Sequence, residues 1–261
     1  MKTNYHTHHY LCRHASGTTE DYVKEALKHG LLELGMSDHA PSDIVYDMNV
    51  RMKKDEYQDY LADIDYNIAK YSDKIKILKG VEVEYFEHND DYYLDLRKDL
   101  DYMVLGQHYI YFNNNLNNLI SSFALVSKEE IISYANIIDK ALESNHFDIL
   151  AHPDLYMCGY RDWDDHAIEA AHIICKSAKK NNMIIEYNVN GLRKNLVDTP
   201  QGKKPPYPRN EFWEIAKTYD LKVMINSDSH EPEHLNDDYV KIAEEAVQKI
   251  GLNIIEFLPI K

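Results

Sequence analysis

Cysteine is scarce in this 261-residue chain: Cys12, Cys158 and Cys175 are the only three, and no two form a C-x-x-C pair. An odd number without that spacing excludes a disulfide framework and fits a reducing, cytoplasmic setting. Nine glycines, eight prolines and no low-complexity tract exclude a disordered chain. The opening "MKTNYHTHH" lacks the apolar segment of a signal peptide, and no apolar run approaches membrane-spanning length. Positive charge is also short, with 29 Lys and Arg against 44 Asp and Glu, a formal net charge of −15. That balance argues against nucleic acid as a partner, although a small positive site can dominate locally because distant charges are screened over about 8–10 Å. No G-x-G-x-x-G or Walker loop follows the first strand candidate, which weakens a nucleotide-binding open sheet.

What is present is an alternation of short apolar runs with longer amphipathic ones. The strand candidates are 2–8, 31–39, 76–85, 102–110, 147–155, 183–190 and 222–230, with the tail 253–261 as a further short one. Helical patterns lie between most of them. "SKEEIISYANIIDKALES" opens with a capping box, Ser127 with Glu130, and continues with Ile131, Ile132, Ala135, Ile138 and Leu142 at helical spacing. "TTEDYVKEALKHG" starts on a threonine N-cap and ends at Gly30, a C′ glycine. Repeated strand–helix units predict a parallel sheet, and the length suits one α/β barrel spanning 1–261 as a single domain.

The strand candidates turn polar toward their C-terminal ends. The first ends in His6-Thr7-His8, the second in Asp38-His39 and the fourth near His108; the fifth ends in His152-Pro153-Asp154 and the seventh in Asp228-Ser229-His230. Glu82 falls within the third, behind Gly80. In an extended segment His6 and His8 share a face while Thr7 turns away, so two imidazoles are offered to one metal ion. Taken singly, each such residue is an ordinary capped or solvated group. The joint pattern carries the reading, because seven of the 14 histidines sit at strand ends or just beyond. In a parallel barrel those ends converge on one face. His29, His146, His166 and His172 fall in helical patterns and His88 and His234 in loops, so they are read as surface or packing residues; His9 should face away from the cluster. His6, His8, His14, His39, Glu82, His108, His152, Asp228 and His230 are too many donors for one tetrahedral zinc and suit two or three divalent ions with a bridging carboxylate. Nitrogen and oxygen donors together fit zinc, iron or manganese.

These residues resemble the polymerase and histidinol phosphatase (PHP) superfamily. The matching pieces are the N-terminal H-x-H, His14, "SDH" at 37–39, G-x-E at 80–82, "GQHY" at 106–109, "AHPD" at 151–154 and "DSH" at 228–230, in the family's order over nearly the whole chain. The resemblance implies a distorted (β/α)7 TIM-like barrel holding three divalent metals. By motif, His6, His8, Glu82 and Asp228 would bind the first ion; Glu82, His108 and His152 the second, with Glu82 bridging; His14, His39 and His230 the third. "HPDLYMCGYRDWDD" and "NVNGLRKN" look most like the branch that hydrolyses L-histidinol phosphate in histidine biosynthesis, a small-molecule phosphate monoester.

On this reading hydroxide between the first two ions attacks phosphorus while the third steadies the phosphate oxygens. Asp38 and Asp154 adjoin ligands and are candidates to protonate the leaving alkoxide, with orientation of neighbouring imidazoles as their simpler role. Glu84 shares a strand face with Glu82 and is a candidate to touch bound water or the substrate's ammonium. Arg161 and Arg193, each just past a strand end, are candidates for bidentate phosphate contact. Glu186 and Asn188 look inward as supports. A phosphodiesterase or exonuclease would use the same metals but favour a basic approach path; a non-catalytic metal-binding scaffold would show gaps in a ligand set that is complete here.

Overall fold

The computed structural model describes residues 1–45, 49–113 and 115–260. Eight parallel strands form one sheet in chain order: β1 (Thr3–Asn4), β2 (Glu33–Met36), β3 (Lys76–Val83), β4 (Tyr102–Leu105), β5 (Ile149–Leu150), β6 (Ile184–Asn188), β7 (Lys222–Asn226) and β8 (Asn253–Ile254). Helices occupy most of the intervals: α1 (Thr19–Lys28), α2 (Tyr57–Tyr71), α3 (Asp90–Arg97), α4 (Lys128–Glu143), α5 (Asp165–Lys180), α6 (Asn210–Thr218) and α7 (Asp238–Ile250). Both caps expected from the sequence form. Ser127 and Glu130 close a reciprocal box at the start of α4, and Thr18 with Asp21 does the same for α1. Gly30 takes φ +71°, the left-handed turn that ends α1 at little cost for a residue without Cβ.

The sheet curls until its first and seventh strands meet. Tyr5 N donates to Asn226 Oδ1 at 2.9 Å and Ser227 N to Asn4 Oδ1 at 2.7 Å, so two asparagine side chains stitch the seam reciprocally. Above them Thr7 and Ser229 form a parallel bridge, with His8 N donating to Ser229 O at 2.9 Å. At the other end of the seam β8 pairs with the start of β7, and Thr3 Oγ1 bonds Glu256 O. The tail strand expected from the sequence is thus a wedge in the seam of a seven-stranded barrel, which is what distorts it.

Alternation along β3 sets the layers. Leu78, Gly80, Glu82 and Glu84 share one face. Leu78 packs in the barrel interior with Tyr5, Tyr102, Val104, Ile149 and Met224. Gly80 leaves room for the Tyr102 ring, since a Cβ there would lie 2.4 Å from Tyr102 Cζ; Gly35 on β2 yields the same space, with a Cβ 2.2 Å from Tyr102 Oη. The tyrosine plugs the barrel below the carboxylates, with its hydroxyl 2.9 Å from Tyr5 O. Several ladders stop short of the apolar runs that announce them, because the terminal residues leave the extended conformation. His152 has φ +28° and Asp228 φ +46°. Such backbone costs roughly 1–3 kcal/mol per residue and turns both side chains over the mouth of the barrel.

Candidate metal centre

Glu82 is the hub. Its Oε2 lies 3.1 Å from His39 Nδ1, 3.3 Å from His6 Nε2 and 3.4 Å from His8 Nε2. Its Oε1 lies 3.0 Å from His152 Nε2 and 3.3 Å from His108 Nε2. Asp228 Oδ1 faces His8 Nε2 at 3.3 Å and His6 Nε2 at 3.7 Å. Beyond them His14 Nε2 and His230 Nε2 are 2.9 Å apart. Local backbone explains the hub: His39 pairs with Glu82 in an isolated parallel bridge that prolongs the β2–β3 ladder. Gly106 makes the space, because a Cβ there would fall 1.9 Å from Glu82 Oε1.

The imidazoles are held from behind. His6 Nδ1 meets Glu186 Oε1 at 2.7 Å, His8 Nδ1 meets Asp38 Oδ1 at 3.4 Å, and His108 Nδ1 meets Glu84 Oε1 at 3.2 Å. His14 Nδ1 bonds Cys12 O at 2.9 Å, and His230 Nδ1 bonds Asp228 O at 3.1 Å. In His6, His14, His108 and His230 that bond leaves Nε2 to face the cluster, the arrangement that fixes tautomer and aim in metal sites, while His8 has only the longer contact with Asp38. Asn188 Nδ2 bonds Asp228 Oδ2 at 3.0 Å, turning Oδ1 inward. Yet His6 Nε2, His8 Nε2 and Asp228 Oδ1 are buried with no hydrogen-bond partner among the described residues. Buried polar atoms are costly when unpaired. Two imidazole nitrogens and a carboxylate oxygen converging beside a second carboxylate make a donor set that fits a divalent cation.

The electrostatics fit the same description. Burial opposes ionisation of Glu82, but His108, His6 and His39 outweigh it and hold the carboxyl well below its usual range. Burial also disfavours charge on His108, but Glu82 and Glu84 overcome it and raise the ring to about 9. His230 is pushed down to about 3 by burial and by His8. Acidic and basic groups thus stand side by side in the charge states that a metal would find or displace.

A cavity of about 400 Å³ opens over the cluster, lined by Glu82, Glu84, His108, His152, Asp228 and His230 together with Arg51, Phe123, Asn190, Arg193, Lys194, Tyr207 and His234. Several expectations need correction against it. Asp38 is fully buried behind the site, beside His8 and His9, and does not line the cavity, which leaves it the simpler of its two expected roles, orienting neighbouring imidazoles. Asp154 is also buried away from the cavity and accepts from Arg209 N at 2.6 Å, so it is not placed to protonate a leaving group. Glu84 does line the cavity, but Arg51 grips both its oxygens at 2.8 and 3.2 Å. Burial raises that carboxyl; Arg51 and His108 override this and hold it at about 2, so it is ionised at neutral pH, the charge state that contact with a substrate ammonium requires. Arg161 is exposed and lies outside the lining. Arg193 is in the lining, but its guanidinium is engaged by Asp237, Ser227 O and His234 O at 2.7 Å each. It ties two loops together and leaves little donor capacity for phosphate.

The site also holds residues that sequence reasoning did not select. Arg51 lies in a stretch without periodicity. His234, read as a loop residue, lines the cavity from a short 3₁₀ turn (Pro232–Asn236). Cys12 brings its thiol within 4.8 Å of donor atoms of His14 and His230, so sulfur is not remote from the third group. His39 is shared, grouping with Glu82 and His108 as well as with His8 and His230. His29, His146 and His172 pair instead with Glu25, Asp90 and Tyr219 outside the cluster.

A family profile described as the PHP domain matches residues 4–190. The chain belongs to the PHP domain family. Among similar PHP proteins is a Deinococcus radiodurans protein named "Probable histidinol-phosphatase", 24% identical over 264 residues that cover 97% of this chain and 95% of that one. A Bacillus subtilis protein named histidinol-phosphatase is 22% identical, with 88% of this chain and 94% of that one covered. The fold is shared with the crystal structure of a Lactococcus lactis histidinol phosphate phosphatase complexed with zinc, L-histidinol and phosphate. The TM-score is 0.74 at 17% identity, covering 97% of this chain and 95% of that one. Among the described residues no helix is long and apolar enough to cross a membrane.

Proposed function

We propose that this PHP domain protein, acting as one catalytic unit over residues 1–261, is a metal-dependent phosphatase that hydrolyses L-histidinol phosphate to L-histidinol and phosphate. The observation that carries the proposal is the hub: one carboxylate, Glu82, faces two groups of imidazoles, one through each oxygen, at the floor of an open cavity. The names of its PHP relatives, and the zinc, L-histidinol and phosphate held by the Lactococcus lactis enzyme, support the choice of substrate and metal class.

Magnitudes favour metal chemistry. Uncatalysed phosphate monoester hydrolysis calls for an acceleration approaching ~10²¹, about 28 kcal/mol. One oxyanion donor supplies only about 3–4 kcal/mol, so hydrogen bonds alone fall far short. The residues that would hold three divalent ions are His6, His8, Glu82 and Asp228; Glu82, His108 and His152; and His14, His39 and His230. Bound there, such ions would supply a water whose pKa is lowered toward ~7 and positive charge to offset that on the phosphoryl oxygens. The chain's own contribution is orientation. Glu186 and Glu84 fix the rings of His6 and His108, Asp38 stands beside His8, Asn188 turns Asp228 inward, and Lys194 at the exposed rim adds a positive charge on the path of an anionic ester.

The test is phosphate release from purified, metal-loaded protein across L-histidinol phosphate, sugar phosphates, nucleotides and a simple diester. A strong preference in kcat/KM for L-histidinol phosphate, lost on chelation, is expected. Faster cleavage of the diester would replace the substrate while keeping the metals.

A further inference from the structure

Phe123 stands at the rim of the metal cavity with 41% of its surface exposed. Its ring is parallel to that of His108, with an interplanar angle of 5° and centroids 6.0 Å apart, and the phenyl is left substantially exposed beside it. The position is built rather than incidental. A short antiparallel hairpin (Tyr109–Ile110 with Ile120–Ser121) leads straight into the one-turn helix Ser122–Ala124 that carries it. Ser122 N donates to His108 O at 2.7 Å, which locks the phenylalanine to the backbone of a residue in the donor cluster. Behind it Gly159 admits the chain closely, since a Cβ there would lie 2.4 Å from Leu125 O.

A phosphate drawn to the donors occupies the floor, so the alcohol portion of an ester extends toward the rim. The cavity, about 400 Å³, is larger than a phosphate group requires. Most of its lining is charged or imidazole; of its phenyl and phenol rings Tyr207 is buried and Tyr109 half-buried, and Phe123 is the exposed one. Offset stacking on a fixed phenyl face rewards a flat aromatic group and gives nothing comparable to an aliphatic one. We infer that Phe123 is a specificity-determining residue that selects phosphate esters whose alcohol carries a planar aromatic ring. This rests on the phosphatase reading above, and within that reading it assigns the imidazole of the substrate to the Phe123 face.

The experiment compares kcat/KM for L-histidinol phosphate with kcat/KM for ethanolamine phosphate, which has the phosphate and the ammonium but no ring. A second pair sets 2-phenylethyl phosphate against ethanolamine phosphate. Wild type, F123L, F123A and F123Y are assayed metal-loaded, with bound metal and circular dichroism measured on each. F123L and F123A are expected to reduce the ring-bearing preference about tenfold in both pairs while holding the full metal complement, and F123Y to retain it. A ratio unmoved in F123L and F123A overturns the inference. If L-histidinol phosphate is not turned over but the phenylethyl preference exists and falls in F123L, the aromatic slot stands and the proposed substrate falls. A wild type without any ring preference overturns both.

Discussion

Glu186 Oε1 lies 2.7 Å from His6 Nδ1, fully buried beneath the donor cluster. The other oxygen of Glu186 accepts from His152 N at 3.1 Å and so holds that residue in its strained backbone conformation. A single carboxylate therefore aims two ring systems that belong to different strands. In E186Q the amide can donate to Nδ1, which favours the opposite tautomer of His6. The expected outcome is a roughly 10–100-fold loss of metal affinity with an unchanged circular dichroism spectrum. Competition with a chromogenic chelator measures it, and H166A, on the outside of α5, serves as the control that should not change.

Gly106 predicts a second route to the same loss. A methyl group at this position collides with the Glu82 carboxylate, 1.9 Å from Oε1 and 2.7 Å from Cγ. Displacing Glu82 disturbs both groups of imidazoles together. G106A should bind at least one ion fewer per chain by elemental analysis and should resemble E82A in activity. A G106A protein with full metal content and wild-type turnover would falsify the hub role of Glu82.

Arg51 and Glu84 form a buried pair, 5% and 2% exposed. Removing one partner of such a pair typically costs about 3–5 kcal/mol, because the other charge is left uncompensated. R51M should fall in that range by urea unfolding of metal-free protein, and R51M/E84L should recover most of it. The pH sign follows from Glu84, whose folded pKa is depressed from 4.5 to about 2, burial being outweighed by Arg51 and His108. Its stabilisation is complete above the unfolded value and is lost as pH falls through about 2. Without Arg51 the folded carboxyl rises, so the acid-unfolding limb of R51M should move to higher pH.

Metal loading should release protons. Burial disfavours charge on His108, but Glu82 and Glu84 raise it to about 9, so at pH 7 the metal-free ring is protonated and must give up its proton to bind. Apparent affinity should climb between pH 6 and 9 and flatten above. Calorimetry in buffers of differing ionisation enthalpy counts the protons. Affinity independent of pH across that window would be incompatible with an imidazolium at this position.

Much of this arrangement is legible in the residues themselves. Seven apolar runs that turn polar toward one end announce the barrel strands, and a threonine N-cap at 18 and a capping box at Ser127 mark two of its helices; that Asp21 completes a second box is added by the fold. Periodicity shows which end of a strand is polar; it does not show which polar group faces which. Asp38, Glu84 and Asp154 look equivalent beside their neighbours, and only the fold separates a ring support, an arginine-bound carboxylate and a group buried against Arg209. Arg193 reads as a free guanidinium until Asp237, 44 residues on, occupies it. Arg51 finds Glu84 across 33 residues and a break in pattern, and nothing local signals it. Asparagines at positions 4 and 226 fall inside strand candidates, and nothing local signals that their side chains do the hydrogen bonding across the seam that ladder backbones do elsewhere.

That seam has a consequence for the order in which the protein is made. Tyr5 and Asn226 are 221 residues apart in sequence, and the donors His6 and His8 lie on one side of the join with Asp228 and His230 on the other. A nascent chain carries its first two imidazoles exposed until nearly all of the remaining residues have emerged. No partial barrel brings His6, His8 and Asp228 together, so on the proposed metal assignment capture of an ion by that group would come late in folding. An ion held by that group would join the two ends of the chain as a rivet does two plates.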